Sequence, residues 1–286
     1  MAVKVIDKVE LYRVEDRMHM VDREIEIMMA LRHPNIVRLE DIYDNPTEVC
    51  LVMELAQGGD LHDVLANQGT LSEHRAAKIF CQLLDALSEL HSKKIVHRDL
   101  KPENILMASE NHILLADFGL SSYECERLQG DDDLPLSGTT TYMAPEALAE
   151  TNRLCVSQDL WSSGVILYIL LSGSSPFPRS EHTLESIVRG QYSLSGPGWD
   201  RVSWEAKDLI TQLLCLDPAH RISAQQARQH PWITQHMESS HQQHFYYSIP
   251  PSLLEYIPAS VLEVAKDVSA LSSNVTNIIY NYLGQK

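Results

Sequence analysis

Eight consecutive residues, His97-Arg98-Asp99-Leu100-Lys101-Pro102-Glu103-Asn104, constrain this chain more than any other stretch of it. Asp117-Phe118-Gly119 follows thirteen residues after Asn104, and Ala144-Pro145-Glu146 comes later. His-Arg-Asp or Asp-Phe-Gly alone is an ordinary loop tripeptide and carries little weight. The ordered set is far more specific, because it puts two aspartates, an asparagine and a lysine on polar segments at fixed separations.

The surrounding pattern is a small mixed region followed by a large helical one. Ala2-Val3-Lys4-Val5-Ile6 alternates and is β-rich, which predicts a strand. Over residues 18–31, Met20, Ile25, Met28, Met29 and Leu31 share one broad helical face, and His33-Pro34-Asn35 ends the pattern. Strands are expected over 36–43 and 49–55. After the Gly58-Gly59 turn, helices are expected over 60–66, 72–93, 157–172, 181–188 and 203–214. With 286 residues and 44% hydrophobic composition, there is material for two cores, or for one domain and a long appendage. The expected division is 1–56, 57–235 and a tail, 236–286.

In that tail, Pro250-Pro251 and Pro258 precede apolar residues three and four apart, from Leu254 through Val264 and Leu271 to Tyr282. This seam fits a coiled coil for self-association and docking on the large region equally well. After Ile233 the only lysines are Lys266 and Lys286 and there is no arginine, so the tail is no basic amphipathic calmodulin target.

Charge narrows the partners. A formal net charge of -16 argues against a nucleic-acid partner, which needs a basic face to displace counterions from phosphates. It favours basic peptides instead. The five cysteines are scattered, with no CxxC pair for a zinc or redox site, and fit reduced thiols in an intracellular protein, cytoplasmic or nuclear. No apolar run approaches the roughly 20 residues of a membrane span.

The motif set, in order and spacing, resembles the signature of eukaryotic protein kinases. That resemblance implies an α+β, bilobal protein-kinase-like fold: a small N-lobe made of a partial antiparallel sheet and one helix, and a large, mostly helical C-lobe. It also implies ATP and Mg2+ as cofactors. Asp99 would accept the substrate hydroxyl proton, Lys101 would balance the γ-phosphate, and Asn104 and Asp117 would hold magnesium. Lys4 matches the strand lysine for the α- and β-phosphates, with Glu24 as its partner. Met53 would back the adenine, Glu54 and Ala56 would offer hinge backbone groups, and Ala2 and Leu106 would lie above and below the ring. Each of these also fits an ordinary core position. Phe118, His97, Met28 and Leu39 would form the family's internal apolar column. Asp159 would hold the catalytic-loop backbone, and Glu146 and Arg221 would form a buried ion pair.

Lys101, with Gly138-Thr139 before Tyr142, resembles the Ser/Thr kinases, and Thr139 would bridge Asp99 and Lys101. Residues 202–210, Asp217-Pro218 and His230-Pro231-Trp232-Ile233 are similar to the calmodulin-dependent kinase group, including its checkpoint-kinase-like members. The resemblance covers about residues 2–234. In basophilic members, acids at the positions of Asp60 and Glu103 recognise arginine upstream of the phosphorylated Ser or Thr; Asp60 reads equally well as a helix cap. Two departures stand out. The resemblance would place a Gly-rich loop and its flanking strand pair before Lys4, and the sequence starts at Met1 without them, as a short isoform, a mistaken translation start or a fragment would. Pro135 replaces the usual phosphorylatable threonine, with Asp131-Asp132-Asp133 before it, read either as phosphate substitutes opposite Arg98 or as a solvated acidic loop. An active kinase and a catalytically impaired, kinase-like binding or regulatory module are therefore both open.

Overall fold

Alternation along residues 2–7 produces strand β1 (Ala2–Asp7), whose burial alternates residue by residue, with Val3 and Val5 exposed. The computed structural model describes residues 1–13, 18–124, 139–148 and 155–237. Met1–Ile233 forms one compact unit and Thr234–Lys286 a second. Within the first, β1 pairs antiparallel with β3 (Glu48–Met53), and β3 pairs antiparallel with β2 (Leu39–Asp44), in the order β1-β3-β2. The buried Val49, Leu51 and Val52 of β3 make the centre of this sheet. Helix α1 (Lys8–Arg13) precedes α2 (Met18–Ala30), whose Val21, Glu24, Ile27 and Met28 are buried.

The strand expected over 36–43 starts later, at Leu39. Ile36 instead makes a parallel bridge to Leu115 of β6 (His112–Leu115), with Val37 donating to the Leu115 carbonyl and Leu115 to the Asn35 carbonyl. The cause is Asn35, whose buried side-chain amide donates to Gln82 Oε1 (2.9 Å) and the Ile113 carbonyl (3.1 Å). A buried amide requires such partners, so this short segment is drawn to β6 and out of the sheet. The second expected strand ends at Met53, two residues early, because Glu54 turns to donate its amide to the Arg38 carbonyl.

The helical body begins at a close backbone crossing. Gly58 donates to the Met107 carbonyl, and a Cβ on Gly58 would lie 2.7 Å from that same oxygen, which explains the glycine. Helix α3 (Leu61–Gln68) is capped by Asp60, whose carboxylate accepts from the Asp63 amide, and α4 (Glu73–Ser92) by Ser72. Strand β4 (Ile95–Val96) pairs with β7 (Ser122–Tyr123), and β5 (Ile105–Ser109) with β6. Helices α5 (Pro145–Leu148), α6 (Ser157–Ser172), α7 (Thr183–Val188), α8 (Trp204–Leu213) and α9 (Ala224–Arg228) follow.

Helix α6 is buried on nearly every side and accordingly shows no single apolar stripe. Gly164 lets it approach α8, since a Cβ there would meet the Leu213 Cβ at 2.8 Å. Around it, Trp161, Phe177, Phe80 and Trp232 are fully buried, each such side chain contributing about 1.5–3 kcal/mol relative to exposure. The fold is thus α+β, a small antiparallel sheet with α2 and a body of helices. Among the described residues, no helix is long and apolar enough to cross a membrane. The tail seam, from Leu254 to Tyr282, lies outside the described residues.

Candidate active site

The loop after β4 is held from below by one carboxylate. Asp159, in the first turn of α6 and 1% exposed, accepts hydrogen bonds from the backbone amides of His97 (2.9 Å) and Arg98 (3.0 Å). Its Oδ2 also meets His91 Nε2 at 2.9 Å. These contacts hold Arg98 at φ 71, a left-handed conformation that costs a non-glycine residue on the order of 1–3 kcal/mol and persists only where surroundings enforce it. Asp159 was legible as the loop's anchor. His91, six residues before His97, was not, because one histidine at the end of an apolar helix carries no motif.

That loop presents a compact polar cluster. Lys101 Nζ lies 2.6 Å from Asp99 Oδ2, and Asn104 Nδ2 donates to the same oxygen (3.0 Å) and to the Asp99 carbonyl (2.8 Å). Both donor sites of the Asn104 amide are thereby occupied, and an acceptor oxygen is what it retains. Asp99 Oδ1 is buried and has no hydrogen-bond partner among the described residues. An orphaned buried carboxylate oxygen is costly unless a ligand supplies a donor.

A second cluster crosses from the sheet. Lys4 Nζ lies 2.6 Å from Glu24 Oε1 and 3.1 Å from Asp117 Oδ1, so β1, α2 and the segment after β6 meet at one cation. Asp117 has φ 63, and the next residue, Phe118, is fully buried with its ring 5.2 Å from that of His97. Met28 is buried and Leu39 half-buried. Burial alone would raise the Asp117 pKa, but the Lys4 charge and hydrogen bond, with a smaller contribution from His97, bring it below the ordinary aspartate value. For Lys4, burial would lower the pKa, and Glu24 and Asp117 together raise it.

The signs define a pH window. Asp117, depressed, contributes stability that is present above the ordinary aspartate pKa and lost as pH falls through its lower folded value. Lys4, raised, contributes stability that is present below 10.5 and lost as pH climbs through its folded value. Removing the cation should expose the burial effect on its neighbour. Lys4→Met is expected to move Asp117 from below to above the usual aspartate pKa, read by carboxyl carbon NMR titration; an unmoved Asp117 would show that Lys4 does not set it.

The remaining expected positions are distributed as follows. Ala2 stands opposite Met53 in the sheet, and Leu106 bridges to Asp60. The Glu54 amide is used internally, leaving its carbonyl, and Ala56 follows two residues on. Thr139 opens a tight turn, Thr139–Tyr142, but its side chain lies outside the described residues, as do Asp131, Asp132, Asp133 and Pro135. Glu146 and Arg221 form a two-pronged ion pair (2.5 and 3.0 Å), with Arg221 stacked 5.2 Å from the Trp161 ring and donating to the Cys215 and Ser157 carbonyls.

Residues 1–233 match the family described as protein kinase domain. Mouse serine/threonine-protein kinase DCLK3 is 43% identical over 240 residues, covering 81% of this chain and 29% of its own length. The calcium/calmodulin-dependent protein kinase type 1 of Caenorhabditis elegans is 40% identical over 248 residues, covering 85% of this chain and 69% of its own. Mouse death-associated protein kinase 2 is 42% identical over 220 residues, covering 75% and 58%. The chain thus spans about a third of the DCLK3 relatives and about two thirds of the worm kinase. With residues 1–233 matching that family and these relatives aligned over most of the chain, the chain belongs to the protein kinase domain family, in the calcium/calmodulin-dependent group of Ser/Thr kinases.

Proposed function

We propose that this chain transfers the γ-phosphoryl group of ATP to Ser or Thr hydroxyls of proteins, with the nucleotide bound between the region of residues 1–56 and that of 57–235. The observation that carries the reading is the Asp99 carboxylate. Its Oδ2 is held by Lys101 and Asn104, and its buried Oδ1 lacks a partner among the described residues, as a group that receives a substrate hydroxyl requires.

Around it, Lys101 neutralises charge on the moving phosphoryl group, and Lys4, steadied by Glu24, meets the α- and β-phosphates. The adenine lies between Ala2 and Leu106, backed by Met53, with the Glu54 carbonyl and Ala56 backbone as hydrogen-bonding groups. Thr139 contributes from the turn before Tyr142. The donor set fits magnesium: the Asp117 carboxylate and the side-chain oxygen that Asn104 retains are both hard ligands. When bound, the ion supplies neutralisation of the phosphate charges.

Substrates are basic around the acceptor. Glu103 is exposed, and Asp60 lies with His62 and Asp63 in a group whose ligand atoms fall within 4.8 Å of one another. Capping α3 uses one Asp60 oxygen, Oδ1. The test is Mg-dependent transfer by the purified chain to matched Ser peptides with and without upstream arginines. A preference for the arginine peptide of about ten-fold or more, reduced in Asp60→Asn and Glu103→Gln, is expected from one or two charge-assisted bonds. Transfer with no such preference would sink the specificity. No transfer at all would favour the kinase-like binding module.

A further inference from the structure

Helix α2 carries the glutamate that Lys4 requires, but its own sequence does little to fix it. It has no acidic residue in its first turn and no basic one in its last, so side-chain contacts must set its place. Two such contacts flank Glu24 and lead to the same strand. Arg23 Nη1 donates to Ser122 Oγ (3.3 Å), and Tyr123 Oη donates to Glu26 Oε1 (3.0 Å).

Ser122 is fully buried, and its hydroxyl accepts a second bond, from Arg98 Nη1 (3.4 Å). The same Arg98 nitrogen donates to the Leu120 carbonyl (3.1 Å). One hydroxyl therefore joins the helix of Glu24 to the arginine beside Asp99. Strand β7, which holds Ser122 and Tyr123, is paired with β4, the strand that leads into the catalytic loop. Its far end is fixed as well: Glu124 meets Lys94 at 3.0 Å and accepts from the Val156 amide at 3.4 Å.

We propose that Ser122 and Tyr123 are positioning residues that latch α2 to the catalytic loop through Arg23, Arg98 and Glu26, and so hold Glu24 against Lys4. The inference rests on the kinase reading above for its effect on turnover, whereas its effect on α2 is independent of that reading.

The experiment pairs hydrogen exchange with kinetics on the full chain. Ser122→Ala and Tyr123→Phe should each speed amide exchange across residues 18–30 and lower kcat about ten-fold, with KM for the peptide unchanged. Glu26→Gln, which keeps an acceptor oxygen for Tyr123, should stay near wild type, whereas Glu26→Ala should match Tyr123→Phe. The two combined should lose no more than either alone. Wild-type exchange in α2 for both Ser122→Ala and Tyr123→Phe, faster exchange with unchanged kcat, or additive losses would each overturn the latch. A wild-type chain with no transfer would instead overturn the kinase reading, and α2 exchange alone would then decide the latch.

Discussion

Asp99→Asn is expected to lower phosphoryl transfer by about a hundred- to ten-thousand-fold while ATP binding and thermal stability stay close to wild type. The substitution keeps the size of the side chain, so the packing around a residue only 5% exposed is preserved. What it removes is the anion. Lys101, 2.6 Å from Oδ2, loses its charge partner, and the oxygen without a partner can no longer take up a proton. Lys4, Glu24 and Asp117, the groups proposed to meet the nucleotide's phosphates and metal from the other side, form a cluster separate from Asp99. Initial rates of phosphopeptide formation, with ATP affinity by calorimetry, separate the two. A rate within a few-fold of wild type would remove Asp99 from the proton-transfer role; lost ATP binding would mean that the two clusters are coupled.

The parts of this site that were readable in the sequence are those whose chemistry demands particular residues at fixed spacing. Asp99, Lys101 and Asn104 lie within six residues, so one loop brings them together, and their mutual bonds follow from that closeness. Lys4 and Glu24 could be paired through the resemblance to kinases, with the distance to His33-Pro34-Asn35 supporting the register. The contacts that position these groups were much less visible. His91, Ser122, Tyr123 and Arg23 act through residues distant in sequence, and a serine or a tyrosine alone has no signature. The fold shows the same limit. Residues 36–38 have strand-like composition, but a buried Asn35 amide bonded to Gln82 and Ile113 takes the start of that stretch to β6. Local propensity could not reveal a partner on a helix far along the chain.

Arg221→Ala is expected to destabilise the chain by about 3–5 kcal/mol, because it leaves Glu146 without its main counter-charge in a largely buried place. For a body of this size that corresponds to a melting temperature lower by roughly 10 °C. The loss exceeds that of an ordinary ion pair for a geometric reason. The same guanidinium donates to the Cys215 and Ser157 carbonyls and stacks over Trp161, so one truncation opens the junction of α5, α6 and the loop after α8 at once. Glu146→Gln should cost less, since Arg221 keeps both carbonyls, the ring and an amide oxygen. Thermal unfolding of the two variants tests this order directly. Activity then tells scaffold from chemistry. Arg221 touches Ser157, and Asp159 two residues on holds the catalytic loop, so the site is supported by this junction but does not contain it. Well below its melting temperature, Arg221→Ala should therefore turn over within about three-fold of wild type per folded molecule, which is under 1 kcal/mol in barrier. A larger fall with the protein still folded would place Arg221 in control of the loop geometry, and a melting temperature unchanged from wild type would refute the ion pair as a support of the large helical body.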